Sequence, residues 1–167
     1  MPDVDEAIGA CLLSRGSTRS LRALAAVGEP ALHRWIEVYH GRGRPFDRPA
    51  RVRMSGREEV DVWSAMLGEL AKAQPQAFTA AVVGGGFGRQ AHTDTLILVC
   101  LKDIDDPRGT EVLIRGLATN DWLVRYHAVR GLAGRDSDEA RAALVRALDD
   151  PEEMIRAEAR QAMRRTP

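Results

Sequence analysis

An internal repeat constrains the fold of this chain more than any other feature of its sequence. Residues 111–136 align with residues 142–167 without a gap, and this alignment defines the repeat offset. The coinciding positions are Leu113 with Leu144, Arg115 with Arg146, Leu117 with Leu148, Val124 with Ile155, Arg125 with Arg156, Ala128 with Ala159 and Leu132 with Met163. Within each unit the apolar residues recur at helical spacing, and a short polar turn separates two such stretches. The pattern therefore predicts a pair of helices, A and B, in each unit.

The same offset extends toward the N-terminus and accounts for a run of glycines. It predicts a B helix over 93–103 and an A helix over 75–83 that starts at a proline. Four glycines then fall at the end of this A helix and in the turn after it: Gly84, Gly85, Gly86 and Gly88. Because glycine adopts positive φ readily, we expect these residues to end the helix and form the turn. A phosphate-binding loop is disfavoured, since no Lys-Ser/Thr pair follows and the spacing differs from the dinucleotide fingerprint.

The first half of the chain is less regular, but its pattern is also helical. We expect helices within 4–14, 17–41 and 57–73, with a turn at residues 28–30. The segment 41–56 interrupts this pattern and is interpreted as an inserted loop. The chain has 167 residues, which is the size of one domain or one short repeat array.

The stretches "DWLVRYHAVRGLA" and "EEMIRAEARQAM" resemble the HEAT-like repeat family, including its short bilin-lyase type. The shared signature is an acidic residue in the turn, then Val/Ile-Arg, then Ala and Leu/Met at helical spacing. The resemblance is best over 75–167 and loose over 17–73. It implies an all-α fold, a right-handed α-solenoid of paired antiparallel helices over residues 1–167, with the B helices along the concave face. It also implies that Arg125 and Arg156 are structural and pair with turn acids such as Asp121, Asp150 or Glu152.

Helical periodicity selects a second set of side chains that would face a partner from the concave side. These are Ser64, Thr95, Val99, Tyr126, Arg130, Gln161 and Arg164. Tyrosine and arginine are the residue types that most often anchor protein interfaces. The alternative for each residue taken singly is an ordinary solvated position.

The inserted loop and the residue that follows it are strongly basic. Residues 42–57 carry six arginines against one aspartate, and two prolines argue against a helix. The candidate binding residues here are Arg42, Arg44, Phe46, Arg48, Arg51 and Arg53. Such a loop could bind an acidic protein surface, an RNA backbone or a phosphate-bearing ligand. The alternative is a solvated loop that a solenoid tolerates, since long loops are either functional or disordered.

No motif in the sequence requires a chemical reaction. The four histidines lack metal-ligand spacing, and no nucleophile elbow is present, so we expect no enzyme activity, metal or cofactor. Lysine plus arginine and aspartate plus glutamate number 24 each, which excludes a strong overall field. Cys11 and Cys100 lie in apolar stretches typical of buried thiols in a reducing compartment. Acidic residues near the N-terminus do not fit a signal peptide, so we expect a cytoplasmic protein that crosses no membrane.

The sequence thus predicts a non-enzymatic scaffold or regulator that binds another protein through its concave face and basic loop. Two alternatives remain open. One is a nucleic-acid-binding module that uses residues 42–57. The other, implied by the family resemblance, is a lyase-like accessory protein that acts on a partner. The sequence makes no prediction of the oligomeric state.

Overall fold

The computed structural model describes residues 3–39, 41, 46–88 and 91–165, and all regular structure in these residues is helical. The helices are α1 Val4–Leu13, α2 Thr18–Val27, α3 Glu29–Tyr39, α4 Gly56–Ala73, α5 Pro75–Ala81, α6 Ala91–Leu101, α7 Pro107–Leu117, α8 Trp122–Leu132, α9 Asp138–Ala147 and α10 Glu153–Arg165. A turn, Val82–Gly86, follows α5 and is kinked at Gly85. The all-α prediction is confirmed for these residues.

The chain divides into two compact units, Met1–Ala81 and Val82–Pro167. The predicted helix pairs of the repeat lie mostly in the second unit. The helices α5 and α6 lie close to the ranges that the repeat offset predicted for them. The single solenoid over residues 1–167 stays a prediction.

In the second unit the helices form two layers. α8 packs between α6 and α10, and α7 and α9 pack against these helices and against each other. The residues that repeat in the sequence form the buried core between the layers, among them Leu113, Leu144, Val124, Ile155 and Ala128. Two helices joined by a turn of a few residues form an antiparallel hairpin in the usual case, and the antiparallel pairing of these helices stays a prediction.

Two glycines let α7 and α8 approach closely. A Cβ at Gly131 of α8 would overlap the Leu113 side chain of α7. A Cβ at Gly116 of α7 would lie 3.0 Å from the Cβ of Ala128. Larger side chains at either position would therefore push the two helices apart.

The first unit has its own core around α4. Trp35 of α3 is fully buried, and its indole Nε1 donates to the backbone oxygen of Trp63 at 3.1 Å. The Tyr39 ring stacks on Trp35 at 4.7 Å between centroids. The guanidinium of Arg34 is also buried, and its Nε donates to Asp5 of α1 at 2.7 Å. α1 and α3 are thus joined by an ion pair largely withdrawn from water.

The glycine run lies where α5 ends. Gly85 has a φ of 122° and Gly88 a φ of 85°, values that favour glycine over any other residue. Gly84 and Gly86 have no positive φ. The turn therefore needs glycine at two of its four glycine positions, and the other two are not explained by backbone conformation.

Candidate functional site

Arg125 links two successive turns of the repeat. Its Nη1 donates to the backbone oxygens of Thr119 and Asn120, at 3.1 and 3.0 Å, in the turn before α8. Its Nε and Nη2 donate to both carboxylate oxygens of Asp150, at 2.8 and 3.2 Å, in the turn before α10. This bidentate geometry is the strongest form of arginine–carboxylate contact. Both side chains are nearly buried, so the pair joins one repeat to the next.

Arg156 occupies the equivalent position of the next repeat and shares one of the two kinds of contact that Arg125 makes. Its Nη1 donates to the backbone oxygens of Asp150 and Pro151 at 2.6 and 2.8 Å, and these two residues are the repeat equivalents of Thr119 and Asn120. Its other nitrogens bond to Glu153 in its own helix. Among the described residues Arg156 pairs with no acid of another repeat. The contact to the turn carbonyls is therefore the shared role of this arginine.

The acidic residues of the turns cap helix N-termini, and one of them also pairs with an arginine. Asp121 caps the N-terminus of α8 and accepts from the backbone amides of Leu123 and Val124, at 2.9 and 3.2 Å. Asp150 both pairs with Arg125 and accepts from the backbone amide of Glu152 at 2.9 Å. Burial raises the pKa of Asp150, but the hydrogen bonds and the positive charge of Arg125 outweigh it and hold that pKa below its ordinary value.

An aspartate replaces the repeat arginine in the preceding unit. Asp94 is the repeat equivalent of Arg125 and is buried in α6. Its carboxylate accepts from the backbone amide of Gly88 at 2.8 Å, and Gly88 is the repeat equivalent of Thr119. Where the later repeats bind turn carbonyls with a cation, this repeat binds a turn amide with an anion. The same repeat position therefore holds the glycine turn, but through a carboxylate that accepts a hydrogen bond in place of a guanidinium that donates one.

The exposed side chains of α6, α8 and α10 form one surface, here called the B face. Tyr126 lies half-buried on α8, and the guanidinium carbon of Arg130 stands 5.8 Å from the centroid of its ring. Val99 of α6 is 43% exposed, and Gln161 and Arg164 of α10 are exposed. The structure therefore brings five of the seven predicted partner-facing residues to one face of three adjacent helices.

The remaining two predicted residues do not belong to this face. Thr95 is only 8% exposed, and its hydroxyl donates to the backbone oxygen of Ala91 at 2.9 Å, so it is not free to meet a partner. Ser64 lies in the first unit, is half-buried and donates to the backbone oxygen of Val60 at 2.7 Å. A hydroxyl satisfied within its own helix can be buried at little cost, which periodicity alone does not reveal.

Sequence reasoning missed an apolar edge of the B face. Trp122 and Leu123, in the first turn of α8, and Met154, in the first turn of α10, are exposed. Leu123 and Met154 occupy equivalent positions of the repeat, so the repeat itself was the available signal. Large exposed apolar side chains that recur in register are typical of a surface that meets a partner.

The opposite end of the B face is cationic. No carboxylate of the described residues lies within ion-pair distance of Arg130 or Arg164. His127 lies half-buried beside Tyr126; burial, and then the charges of Arg130 and Lys102, lower its pKa. The lowered pKa favours the neutral imidazole, so the positive charge of this end comes from its arginines and lysine.

The face on the other side of the second unit is different in character. A groove of about 290 Å³ lies between α7 and α9, with Ile114, Leu117 and Ala147 in its lining and Arg146 and Asp150 at its rim. Val145 of α9 is 48% exposed, close to the exposure of Val99. This residue provides a matched comparison for the B face.

The basic segment in the first unit, residues 46–57, is non-helical up to Ser55 and is anchored at several points. The Phe46 ring meets Trp63 edge to face at 6.2 Å, and Arg48 pairs with Glu59 at 2.8 Å. Val52 is buried, and Ser55 caps α4 through a capping box with Glu58. The predicted residues Arg42 and Arg44 lie outside the described residues.

Besides Arg48, three arginines of this segment are exposed: Arg51, Arg53 and Arg57. No carboxylate of the described residues lies within ion-pair distance of them. Arg48 and Arg53 line a shallow depression of about 400 Å³, together with residues 49, 50, 52 and 54. The segment therefore presents guanidinium groups that its own unit does not neutralise.

The described residues contain no group of three or more His, Cys, Asp or Glu side chains placed to hold a metal ion. Cys11 is buried and Cys100 half-buried, neither is in a disulfide, and burial raises the pKa of Cys11. None of the described helices is long and apolar enough to traverse a bilayer.

Comparison with known proteins identifies the repeat. Residues 93–164 match the family model described as HEAT repeats. The match covers α6 to α10 almost completely, which is the part of the chain where the internal repeat and the inter-turn arginines lie. No curated protein and no solved structure matches the chain.

Proposed function

We propose that this chain, whose residues 93–164 match the HEAT-repeat family model, binds a protein partner through the B face. HEAT arrays stack helix pairs so that rigid helices present an extended surface to other molecules. We further propose a right-handed solenoid with the B face on its concave side, and a scaffold or regulatory role without a reaction of its own.

The observation that carries the proposal is that the repeat residues fall into two sets, one that holds the turns and one that remains available on the B face. Arg125 and Arg156 are occupied by turn carbonyls and acids, whereas Tyr126, Arg130 and Val99 remain available on adjacent helices. An aromatic ring next to an unneutralised arginine is the combination most enriched in interface hot spots. The apolar edge at Leu123 and Met154 supplies further area that gains from being covered.

The size of the B face sets the expected affinity. α8 has 11 residues and is thus about 16 Å long. Three helices about 9–10 Å apart span about 30 Å, so the face offers roughly 500 Å² to a partner. A standard stable interface buries about 800 Å² on each side. The B face alone therefore favours a transient, regulated contact over a permanent complex.

The proposal is tested by capture of partners on the immobilised protein with two variants and a matched control. Val99→Arg and Tyr126→Ala alter the B face, and Val145→Arg places the same charge at an equally exposed site on α9. Every capture is repeated after nuclease treatment. We expect a nuclease-resistant partner that both B-face variants lose and the control retains. A partner retained by both B-face variants would refute the proposal.

A further inference from the structure

We infer that the basic segment, residues 46–57, binds the phosphate backbone of nucleic acid without regard to base sequence. This inference concerns the first unit and is independent of the protein contact proposed for the B face. It depends on three properties of the segment: its fixed conformation, its unneutralised charge and its lack of an exposed apolar anchor.

The conformation is fixed before any ligand arrives. Pro49 packs against α1, since its Cγ lies 3.1 Å from the position of a Cβ added to Gly9. The backbone amide of Val52 donates to the oxygen of Pro49 at 2.9 Å and closes a turn, and the Val52 side chain is buried. The backbone oxygen of Arg53 accepts from Arg15 at 3.3 Å. A segment held in this way loses little conformational entropy on binding.

The positive charge is concentrated at the start of α4. Arg57 lies in the first turn of this helix, where the helix dipole already places partial positive charge. Arg51 and Arg53 immediately precede the cap at Ser55. The two first-turn acids do not cancel this charge, because Glu58 pairs with Arg15 and Glu59 with Arg48. Arg51, Arg53 and Arg57 therefore give this segment positive charges that are unpaired within the part of the chain that the structure describes, on a chain whose formal net charge is zero.

The chemistry of this surface fits phosphate better than an acidic protein. Protein interfaces have an apolar core surrounded by a polar rim. The segment offers no such core, because Val52 is buried and its other apolar side chains larger than alanine are half-buried. Guanidinium groups bind phosphate oxygens as bidentate forks, and phosphate contacts alone can supply nonspecific binding to nucleic acid. Three arginine forks that are unpaired among the described residues, of which Arg53 lines the shallow depression, are thus suited to a phosphate backbone.

The number of free arginines predicts how binding responds to salt. Neutralising three phosphates of a single strand gives a slope of about −2.1 for log K against log salt concentration. Raising the salt from about 50 to about 200 mM should then weaken binding about 18-fold.

The test measures fluorescence anisotropy of a labelled single-stranded oligouridylate at these two salt concentrations. Three forms of the full chain are compared: the natural sequence, Arg51→Gln/Arg53→Gln/Arg57→Gln, and the control Arg19→Gln/Arg22→Gln/Arg146→Gln. The control removes the same charge from three exposed arginines elsewhere, none within ion-pair distance of a carboxylate in the described residues. Circular dichroism verifies that both variants remain folded.

We expect the natural sequence and the control to bind with the predicted salt dependence. The segment variant should lose at least about tenfold in affinity and most of its salt dependence. The inference is overturned if the natural sequence does not bind the oligonucleotide, or if the control loses as much affinity as the segment variant. A polyglutamate peptide is tested on the same three forms of the chain. The inference is also overturned if this peptide binds, loses affinity for the segment variant, and the oligonucleotide does not bind, since the ligand would then be an acidic protein.

Discussion

Replacing Arg125 with methionine should destabilise the second unit severely, because it leaves a buried carboxylate without its partner. The side chain of Asp150 is 8% exposed and that of Arg125 is 11% exposed. Methionine retains much of the aliphatic stem, so the change removes mainly the charge and the hydrogen bonds to Asp150 and the turn carbonyls. Breaking one side of a buried ion pair costs about 3–5 kcal/mol.

The equivalent change at Arg156 provides the matched control. The side chain of Arg156 is 30% exposed and its acid, Glu153, is 66% exposed. An exposed pair contributes about 0–1 kcal/mol, and the bonds to the turn carbonyls add a similar amount. Arg156→Met should therefore cost about 1–2 kcal/mol, clearly less than Arg125→Met.

A double variant separates the charge from the packing. Asparagine at position 150 can still accept from the amide of Glu152 and preserve the start of α10, but it carries no charge. Asp150→Asn combined with Arg125→Met should recover at least about 1 kcal/mol of the loss, a coupling typical of residues in one network. Urea denaturation measures the natural protein and these three variants. Equal losses at Arg125 and Arg156, or no recovery in the double variant, would refute the reasoning.

Three further predictions concern stability and follow from local geometry. The pKa of Asp150 is depressed in the folded state. The stability that Asp150 contributes is therefore complete above its ordinary pKa of 3.8 and is lost as the pH falls through the folded value. In an acid titration, the free energy of unfolding of Asp150→Asn should fall less steeply than that of the natural protein. Gly131→Ala should cost about 1–3 kcal/mol by overlap with Leu113, whereas Gly134→Ala, with open space around it, should change the urea midpoint little. Ser55→Ala should cost the first unit about 1 kcal/mol by loss of the α4 capping box, measured by thermal denaturation; an unchanged midpoint would show that Glu58 alone satisfies the helix start.

The helices could be predicted from the sequence because their signals are local. Apolar spacing and Pro75 at the start of α5 mark helix positions without knowledge of distant contacts. The repeat offset also predicted that Arg125 and Arg156 are equivalent. Which acid each one binds depends on whether another turn follows, and no single repeat contains that information.

The surfaces were harder to predict because exposure depends on packing depth. Thr95 and Tyr126 occupy equivalent positions, yet α6 buries the first and α8 leaves the second half-exposed. The anchoring of the basic segment depends on Gly9 of α1 and on Glu59 and Trp63 of α4, and these contacts cannot be read from the sequence pattern. The buried Arg135 was not predicted. Its Nη2 donates to the backbone oxygen of Leu101 at 2.7 Å, although the two residues lie far apart in the sequence.

The most direct test of the central claim is site-specific photo-crosslinking to the captured partner from two positions of equal exposure. A photoreactive phenylalanine analogue replaces Val99 on α6 in one protein and Val145 on α9 in the other. If the B face binds the partner, position 99 should crosslink to it and position 145 should not. Crosslinking from position 145 alone would place the partner on the α7 and α9 side and contradict the account.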